Sequence, residues 1–348
     1  WTPLFTPRRL AAGLGLTRLW FKDDGRNPTA SFKDRASAVV VARAQEIGAG
    51  TVVTASTGNA GAALAGMAAA AGQPAVILAP RTAPPAKVAQ LLIFGATVLL
   101  VEGTYDQAFD LTVEASAALG WYCRNTGYNP FTAEGKKTAA FEICEQLSLA
   151  NGVGAKHPVP PRWSAPDVVF VSVGDGNIIS GLHKGFRDLA DLGWIERLPR
   201  LIGVQAEGSA AVTRAFAAGS SEIEPVRAET IADSISVDLP RDGLRALRAV
   251  RETGGTLLEV SDQAILDAIA ELGRVEGIFV EPAAAAAYAG LVAAVRGGQI
   301  GPGESVVVVL TGSGLKDVRA AMKAAGEATV IEPSLTALRR ALPSGRSV

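Results

Sequence analysis

The chain has 348 residues and a formal net charge of −1, and 48% of its residues are hydrophobic. A chain of this length can bury a substantial core in one large or two smaller domains. The near-zero net charge gives no electrostatic sign of binding to nucleic acid or to an acidic membrane surface, and favours a small molecule or a second copy of the chain as partner.

Short apolar runs alternate with longer alanine-rich segments in the first part of the chain. They predict strands and helices in turn: strands at 51–56, 74–80, 96–103 and 121–125, and helices at 59–72, 84–94 and 104–119. The strand runs are continuously apolar, which is typical of parallel strands covered by helices on both faces. The spacing predicts right-handed βαβ units.

A second series of α/β units follows a segment rich in proline and glycine. That segment, 151–166 (NGVGAKHPVPPRWSAP), predicts a loop or a domain junction. Beyond it we predict strands at 167–174, 201–208, 255–261 and 305–312, and helices at 178–192, 241–253, 262–275 and 281–297. The predicted fold class is therefore α/β, with two three-layer domains and mostly parallel sheets, whose cleft at the carboxyl ends of strands suits a small ligand.

The few cysteines and histidines limit the metal or redox sites that the chain can form. Cys123 and Cys144 lack the C-x-x-C spacing of a zinc or redox site, so they form either one disulfide or, as we expect, two buried thiols in a reducing, cytoplasmic setting. The chain has only 2 histidines, too few for a histidine-rich metal site, and we expect no metal. No apolar run reaches the ~18 residues of a membrane span.

Two of the loops that follow predicted strands suit anions. In TASTGNAGAALAG (54–66), Ser56, Thr57 and Asn59 stand at a helix start, where they either cap the helix or help its free N–H groups bind a carboxylate. In VSVGDGNIISGLHKGF (171–186), the glycine-rich turn favours a phosphate. The turn matches neither a P-loop nor a dinucleotide G-x-G-x-x-G motif.

Two further positions carry a candidate hydroxyl and a candidate amine. Thr311, in VVLTGSGLKD (308–317), is the first polar residue after an apolar strand and either contacts a ligand or caps its own helix. Lys33, in NPTASFKDRAS (27–37), stands at the mouth of an apolar helix. The ordinary interpretation is a solvated lysine paired with Asp34 or Glu46. Burial would instead lower its pKa from ~10.4 and allow a Schiff base with a carbonyl such as that of pyridoxal phosphate.

Together these segments resemble the tryptophan-synthase-like (fold type II) pyridoxal-phosphate enzymes and, within that group, the threonine synthase family. The resemblance runs in the family's order from about residue 2 to residue 325 and rests on five segments: NPTASFKDRAS (27–37), ASTGNAGAALA (55–65), NPFTAEGKKTAAFEI (129–143), GDGNIISGLHKGF (174–186) and LTGSGLKD (310–317).

The resemblance implies a fold, a cofactor and roles for the candidate residues. Pyridoxal 5'-phosphate would lie between a large domain (1–50 and 140–325) and a small domain (51–139), with a tail at 326–348. Lys33 would be the Schiff-base and catalytic lysine, Asn59 would bond the phenolic oxygen, and Thr311 would face the pyridine nitrogen. The cofactor phosphate would be held by five consecutive residues: Gly174, Asp175, Gly176, Asn177 and Ile178.

The resemblance also implies a substrate site. Ser56, Thr57 and Asn59 would bind the α-carboxylate of an amino acid. A homodimer would convert O-phospho-L-homoserine and water to L-threonine and phosphate, by γ-elimination and β-addition of water.

The chain departs from the family at Thr132, where the motif NP-x-R-x-EG-x-KT usually carries an arginine that binds the substrate phosphate. Thr132 lacks that bidentate cation, and Lys136, Lys137 or Lys184 is a candidate to replace it. We assign Thr132 and Lys137 to the substrate site.

The departure at position 132 leaves other functions open. One is a Ser/Thr dehydratase or β-replacement enzyme with the same cofactor and an unphosphorylated substrate. Another is a catalytically silent amino-acid sensor, against which the retention of Lys33, Asn59 and Thr311 argues. A third is a nucleotide-binding α/β enzyme, which the loop spacings disfavour.

Glu281, at the start of the helix EPAAAAAYAGL (281–291), either packs in the core or lies near the cofactor ring.

Overall fold

The computed structural model describes residues 1–151 and 162–342. The strands in these residues are β1 (Leu4–Phe5), β2 (Arg18–Asp23), β3 (Val52–Ala55), β4 (Ala75–Pro80), β5 (Thr97–Val101), β6 (Tyr122–Cys123), β7 (Val168–Ser172), β8 (Arg200–Ala206), β9 (Thr256–Val260) and β10 (Ser305–Leu310).

The helices in the same residues are α1 (Arg8–Gly13), α2 (Lys33–Glu46), α3 (Asn59–Ala71), α4 (Pro85–Ile93), α5 (Tyr105–Leu119), α6 (Phe131–Lys136), α7 (Thr138–Ala150), α8 (Asn177–Asp191), α9 (Ala211–Ala217), α10 (Gly243–Glu252), α11 (Asp262–Glu276), α12 (Pro282–Arg296), α13 (Val318–Ala325) and α14 (Leu335–Ala341).

The strands form two sheets, one with 6 strands in the order β1-β2-β10-β7-β8-β9 and one with 4 strands in the order β5-β4-β3-β6. Among the described strands every neighbouring pair is parallel except β1 with β2. The predicted α/β class with mostly parallel sheets is confirmed. The exact domain boundaries remain a prediction.

Every predicted strand and helix is present, with its ends within two residues of the predicted ones. Elements for which no bounds were predicted are β1, β2, α1, α2, α9, α13 and α14, together with the helices α6 and α7, which begin in the segment 129–143. Residues 152–161 of the predicted loop and residues 343–348 of the tail lie outside the described residues.

Small residues let the helices approach the sheets closely. A Cβ added at Gly290 in α12 would lie 2.4 Å from the Cγ2 atom of Val204 in β8, so this helix tolerates no larger residue there. The alanines of α12 are buried in the core of the six-stranded sheet, as predicted for the segment 281–291. Val41 and Ala44 of α2 join the core of the four-stranded sheet.

Parallel strands bring their carboxyl ends to one edge of each sheet, and these edges face a shared cleft. The loops after β3, β6 and β7 all line it.

No described helix is both long and apolar enough to cross a membrane. Cys123 and Cys144 are buried and form no disulfide, as predicted.

Candidate active site

A cavity of about 720 Å³ occupies the cleft. Most of the predicted site residues line it, namely Lys33, Ser56, Thr57, Asn59, Gly174, Asp175, Gly176, Asn177 and Ile178. They come from three separate segments of the chain, and the parallel topology brings these segments together.

Lys33 is the first residue of α2 and is half-buried against the cavity. The backbone N–H of Phe32 donates to the carbonyl of Thr311 at 2.8 Å, which ties the start of α2 to the end of β10. Ala30 nearby has φ 64° and is the only described non-glycine residue with positive φ, so the approach to Lys33 is a strained turn. Burial and the positive charge of Arg124 lower the pKa of Lys33, which favours the free amine.

The two carboxylates considered as partners of Lys33 are engaged elsewhere. Asp34 accepts from the backbone N–H of Thr29 at 2.7 Å, and Glu46 pairs with Arg43 at 2.6 Å. Lys33 forms no ion pair with any described residue, so the pairing expected of an ordinary surface lysine is not observed. An amine in the cavity wall that forms no direct ion pair is suited to covalent chemistry with an aldehyde.

Asn59, the first residue of α3, is buried and contacts a carboxylate across the cleft. Its Nδ2 donates to Oε1 and Oε2 of Glu281 at 3.0 and 2.9 Å, and to the Oγ of Ser234 at 3.3 Å. Burial raises the pKa of Glu281, and the bond from Asn59 and the charge of Lys33 oppose that rise. Glu281 is thus buried and also contacts a cavity residue, and its position relative to a cofactor ring remains a prediction.

The start of α8 offers unsatisfied backbone donors. Gly176 is the N-cap with φ 86°, and no side chain caps the helix. The first N–H groups of an α-helix lack partners within the helix, so this uncapped end attracts an anion. A Cβ at Gly174 would lie 2.9 Å from the Cα of Ile235, and one at Gly176 would lie 2.8 Å from the carbonyl of Asp242, so both positions need glycine.

A buried lysine lies beside the uncapped start of α8. Lys136, which is 0% exposed, donates to the Oδ1 of Asn177, and Nδ2 of Asn177 donates to Asp242. Burial lowers the pKa of Lys136 well below its usual value, and the charges of Lys33 and Arg124 add to the effect. Burial raises the pKa of Asp175, whose backbone carbonyl accepts from Asp242 at 2.8 Å.

Three other predicted residues do not line the cavity. The Thr311 side chain is buried at the end of β10, next to the start of α2. The hydroxyl of Thr132 donates to the carbonyl of Asn129 at 2.7 Å. Lys137 pairs with two carboxylates, those of Glu134 and Asp188, at 2.7 and 2.8 Å. Lys184, the other candidate cation, pairs with the same two carboxylates.

Two ion pairs cross the mouth of the cleft. Lys87 in α4 lies 2.6 Å from Asp233, and Arg241 lies 3.1 Å from Asp106 in α5. Each pair joins a helix of the four-stranded sheet to a loop packed on the six-stranded sheet, and each includes a largely exposed carboxylate. They bound the cavity on the solvent side.

The cavity suits a phosphorylated aromatic aldehyde. Lys33 places an amine without a direct ion pair in the cavity wall, and the uncapped start of α8 presents backbone N–H groups to the same space. Hydroxyl and amide side chains, among them Ser56, Thr57 and Asn59, also line it. The fold and this cavity together define a pyridoxal-phosphate-dependent enzyme of fold type II.

Comparison with known proteins identifies the family. Residues 1–312 match the model of the family described as pyridoxal-phosphate dependent enzyme. The threonine synthase of Methanosarcina acetivorans is 41% identical over 98% of this chain and 81% of its own length. That of Methanocaldococcus jannaschii is 39% identical over the same shares. The chain belongs to the threonine synthase family of pyridoxal-phosphate-dependent enzymes.

Solved structures agree on the fold. The processed form of threonine deaminase isoform 2 from Solanum lycopersicum is similar with a TM-score of 0.77, at 24% identity over 93% of this chain and 83% of that one. Diaminopropionate ammonia lyase from Escherichia coli is similar with a TM-score of 0.76, at 20% identity over 93% of this chain and 86% of that one. At these identities the likeness establishes the fold alone.

Proposed function

We propose that the chain converts O-phospho-L-homoserine and water to L-threonine and phosphate with pyridoxal 5'-phosphate as cofactor. The observation that carries this reaction is the 41% identity to a threonine synthase over 98% of the chain. The cavity supports it, since the unpaired amine of Lys33 and the uncapped start of α8 face the same space.

Each segment of the cavity has a proposed task. When bound, pyridoxal phosphate supplies an electron sink for a carbanion at the substrate α carbon. The backbone of Gly174–Ile178 binds the cofactor phosphate, and the start of α3, with Ser56, Thr57 and Asn59, binds the substrate α-carboxylate.

Lys33 would have two roles, since it would hold the cofactor through the aldehyde carbon and would move protons once it is released. Burial lowers its pKa, which increases the share of free amine able to take a proton from the α carbon. The Thr311 hydroxyl would bind the ring nitrogen without enforcing its protonation, unlike a carboxylate. Asn59, which Glu281 holds in place, would bond the phenolic oxygen.

Borohydride reduction tests the role of Lys33. The holoenzyme is reduced and digested, and the peptide that contains residue 33 should carry the added mass of the cofactor. The Lys33→Ala variant should lose both this adduct and the release of phosphate from O-phospho-L-homoserine. An unchanged adduct on another lysine in that variant would show that Lys33 is not the anchor.

A dehydratase with the same cofactor is the second candidate. Thr132 favours it, because a buried threonine bonded to Asn129 supplies no cation for a substrate phosphate. The assay that decides between the two functions compares phosphate release from O-phospho-L-homoserine with 2-oxobutyrate formation from L-threonine. Threonine synthase activity requires the first rate to be the larger.

We also propose a cytoplasmic homodimer. Two buried, unpaired cysteines support a reducing compartment. Exposed apolar side chains on α13 and α14, among them Met322 at 50% and Leu335 at 61%, support a surface covered by a second copy. Light scattering after size-exclusion chromatography should give twice the chain mass of 35.8 kDa, and Leu335→Glu should lower it.

A further inference from the structure

Lys136 is a buried lysine without a carboxylate partner. It is the last residue of α6 and is 0% exposed, yet it forms part of the cavity wall. Its ammonium group donates to the Oδ1 of Asn177 and forms no ion pair with any described residue. An ammonium group has three N–H donors, so two of them remain for a ligand in the cavity.

The chain satisfies its other fully buried lysine among the described residues. Lys22 is also 0% exposed, and it pairs with Glu142 at 2.5 Å. It donates further to the carbonyl of Thr2 at 2.8 Å and to the Oε1 of Gln146 at 2.7 Å. Buried charges without such partners are costly and rare in folded proteins. The environment of Lys136 therefore indicates an anion that arrives from outside the chain.

Close packing of α6 and α7 against α8 fixes the position of Lys136. A Cβ added at Gly181 in α8 would lie 2.6 Å from the Cβ of Lys136. One added at Gly185, one turn later, would lie 2.4 Å from the carbonyl oxygen of Lys137. Two glycines on one face of α8 thus let the segments approach at backbone distance, and the amine of Lys136 lies at the start of this helix.

Asn177, the first residue of α8, holds the amine without neutralising it. Its Oδ1 accepts from Lys136 and its Nδ2 donates to the Oδ2 of Asp242, so the amide is bonded at both ends. Asp242 also lies 3.3 Å from Arg245, whose charge offsets that of the carboxylate. A neutral amide therefore stands between Lys136 and the carboxylate of Asp242.

A charge balance at the start of α8 shows what the backbone alone lacks. A phosphate monoester carries about −1.5 to −2 charges at neutral pH, whereas a helix N-terminus acts as roughly +0.5. Asp175 lies in the same glycine-rich turn and lines the cavity, so it adds negative charge there. Backbone N–H groups would therefore leave a phosphate short of positive charge, and an ammonium group supplies one full unit.

We propose that Lys136 is a ligand of the cofactor phosphate and supplies the charge that the backbone donors of residues 174–178 lack. A bound phosphate favours the charged amine and so opposes the effect of burial, which lowers the pKa of Lys136. The family motif NP-x-R-x-EG-x-KT leaves position 136 open, so this ligand is a feature of the present chain. The assignment rests on the cofactor site proposed above and is independent of the amino-acid substrate.

A binding comparison isolates the interaction with the phosphate. The full chain is dialysed to equilibrium against pyridoxal 5'-phosphate or against pyridoxal, which lacks the phosphate. In Lys136→Met we expect the dissociation constant of pyridoxal 5'-phosphate to rise by roughly 10- to 100-fold, the range for a lost hydrogen bond to a charged group. The constant for pyridoxal should stay within about threefold. Equal weakening of both compounds, or of neither, would overturn the assignment.

Two further variants support this comparison. Lys136→Gln keeps a donor in the side chain but carries no charge, so it should also weaken pyridoxal 5'-phosphate selectively, and it serves for the test if the methionine variant does not fold. Lys137→Met is the matched control, because the neighbouring lysine pairs with Glu134 and Asp188 outside the cavity. Neither dissociation constant should change in this control.

Phosphorus NMR of the holoenzyme gives a readout that does not depend on turnover. The second ionisation of a phosphate monoester lies near pH 6, and an adjacent ammonium group lowers this pKa. The signal of the bound cofactor should therefore titrate at higher pH in Lys136→Met than in the wild type. An identical titration curve in the two proteins would show that the charge of Lys136 does not act on the cofactor phosphate.

The measurements distinguish failure of the assignment from failure of the proposed function. If the wild-type protein binds pyridoxal 5'-phosphate no better than pyridoxal, the proposed phosphate site at residues 174–178 is wrong, and the role of Lys136 fails with it. If that preference exists but the Lys136 variants keep it, only the assignment of Lys136 is wrong. A rise in KM for O-phospho-L-homoserine at saturating cofactor, with unchanged cofactor affinity, would likewise overturn it.

Discussion

The side-chain amide of Asn59 donates to both carboxylate oxygens of Glu281, at 3.0 and 2.9 Å. Asn59 begins a helix of the four-stranded sheet, and Glu281 precedes a helix that packs on the six-stranded sheet. The contact therefore links the two walls of the cleft and fixes the orientation of the amide. A Cβ at Gly312 would lie 2.4 Å from Oε1 of Glu281, so the carboxylate is enclosed on its other side.

Glu281→Gln should lower activity and leave stability intact. Glutamine keeps the shape but offers Asn59 one acceptor oxygen and no charge, so we expect kcat to fall by roughly tenfold. The Tm should hold or rise, because a buried carboxylate is removed. Steady-state kinetics and calorimetry measure both effects. A fall in Tm with unchanged kcat would assign Glu281 to folding alone.

Gly176→Ala should destabilise the protein more than Gly193→Ala. Both glycines have positive φ, at 86° and 71°, and an alanine in that conformation costs about 1–2 kcal/mol. The added Cβ at Gly176 would also lie 2.8 Å from the carbonyl of Asp242, whereas at Gly193 nothing lies within 4 Å. Urea denaturation should show roughly 1–3 kcal/mol of additional loss at position 176. Cofactor affinity should fall only in Gly176→Ala.

Thr311→Val should weaken cofactor binding without unfolding the chain. The substitution removes the hydroxyl and keeps the backbone carbonyl that accepts from Phe32 at 2.8 Å. Loss of one neutral hydrogen bond corresponds to a rise of about three- to tenfold in the cofactor dissociation constant. Thr112→Val is the control, since this hydroxyl is buried in α5 and donates to Ala108. Equal cofactor affinity in the two variants would remove Thr311 from the proposed site.

Stability should fall in acid because of Glu142. Burial would raise the pKa of this carboxyl, but the bonds and charges of Arg35 and Lys22 outweigh it and lower the pKa from 4.5 to about 2. The unfolded chain therefore binds the proton first, so the stabilisation is complete above pH 4.5 and is lost as pH falls toward 2. The shift corresponds to roughly 3 kcal/mol.

Urea denaturation at pH 5 and pH 3 measures this effect. The free energy of unfolding should drop between the two values in the wild type, and Glu142→Gln should have a smaller drop. An equal drop in the free energy of unfolding in both proteins would mean that other carboxyls account for the acid sensitivity.

Much of the fold follows from local pattern, because buried parallel strands are apolar runs and their helices are rich in alanine. The strand β2 was not predicted, for a physical reason. It contains Lys22 and Asp23, and buried polar residues obscure a strand pattern. Lys22 is satisfied by Glu142 at 2.5 Å and Gln146 at 2.7 Å, which lie far away in the sequence.

The candidate site also has residues that sequence patterns indicate and residues that only the three-dimensional fold identifies. Segment patterns indicated Lys33 and the glycine turn before α8, and the structure brings both to one cavity. Sequence pattern gives Lys136 only as a candidate replacement for the arginine missing at position 132. Its contact with Asn177 depends on the packing of α6 against α8, which joins segments that lie far apart in the sequence.

The two ion pairs at the mouth of the cleft have a consequence for turnover. Lys87–Asp233 and Arg241–Asp106 are exposed to water, where such pairs contribute at most about 1 kcal/mol each and are weakened by dissolved salt. The two walls of the cleft are therefore joined by contacts whose strength depends on the ionic strength of the solution. We expect product release to be slower at low ionic strength than at high ionic strength, where these contacts break more often.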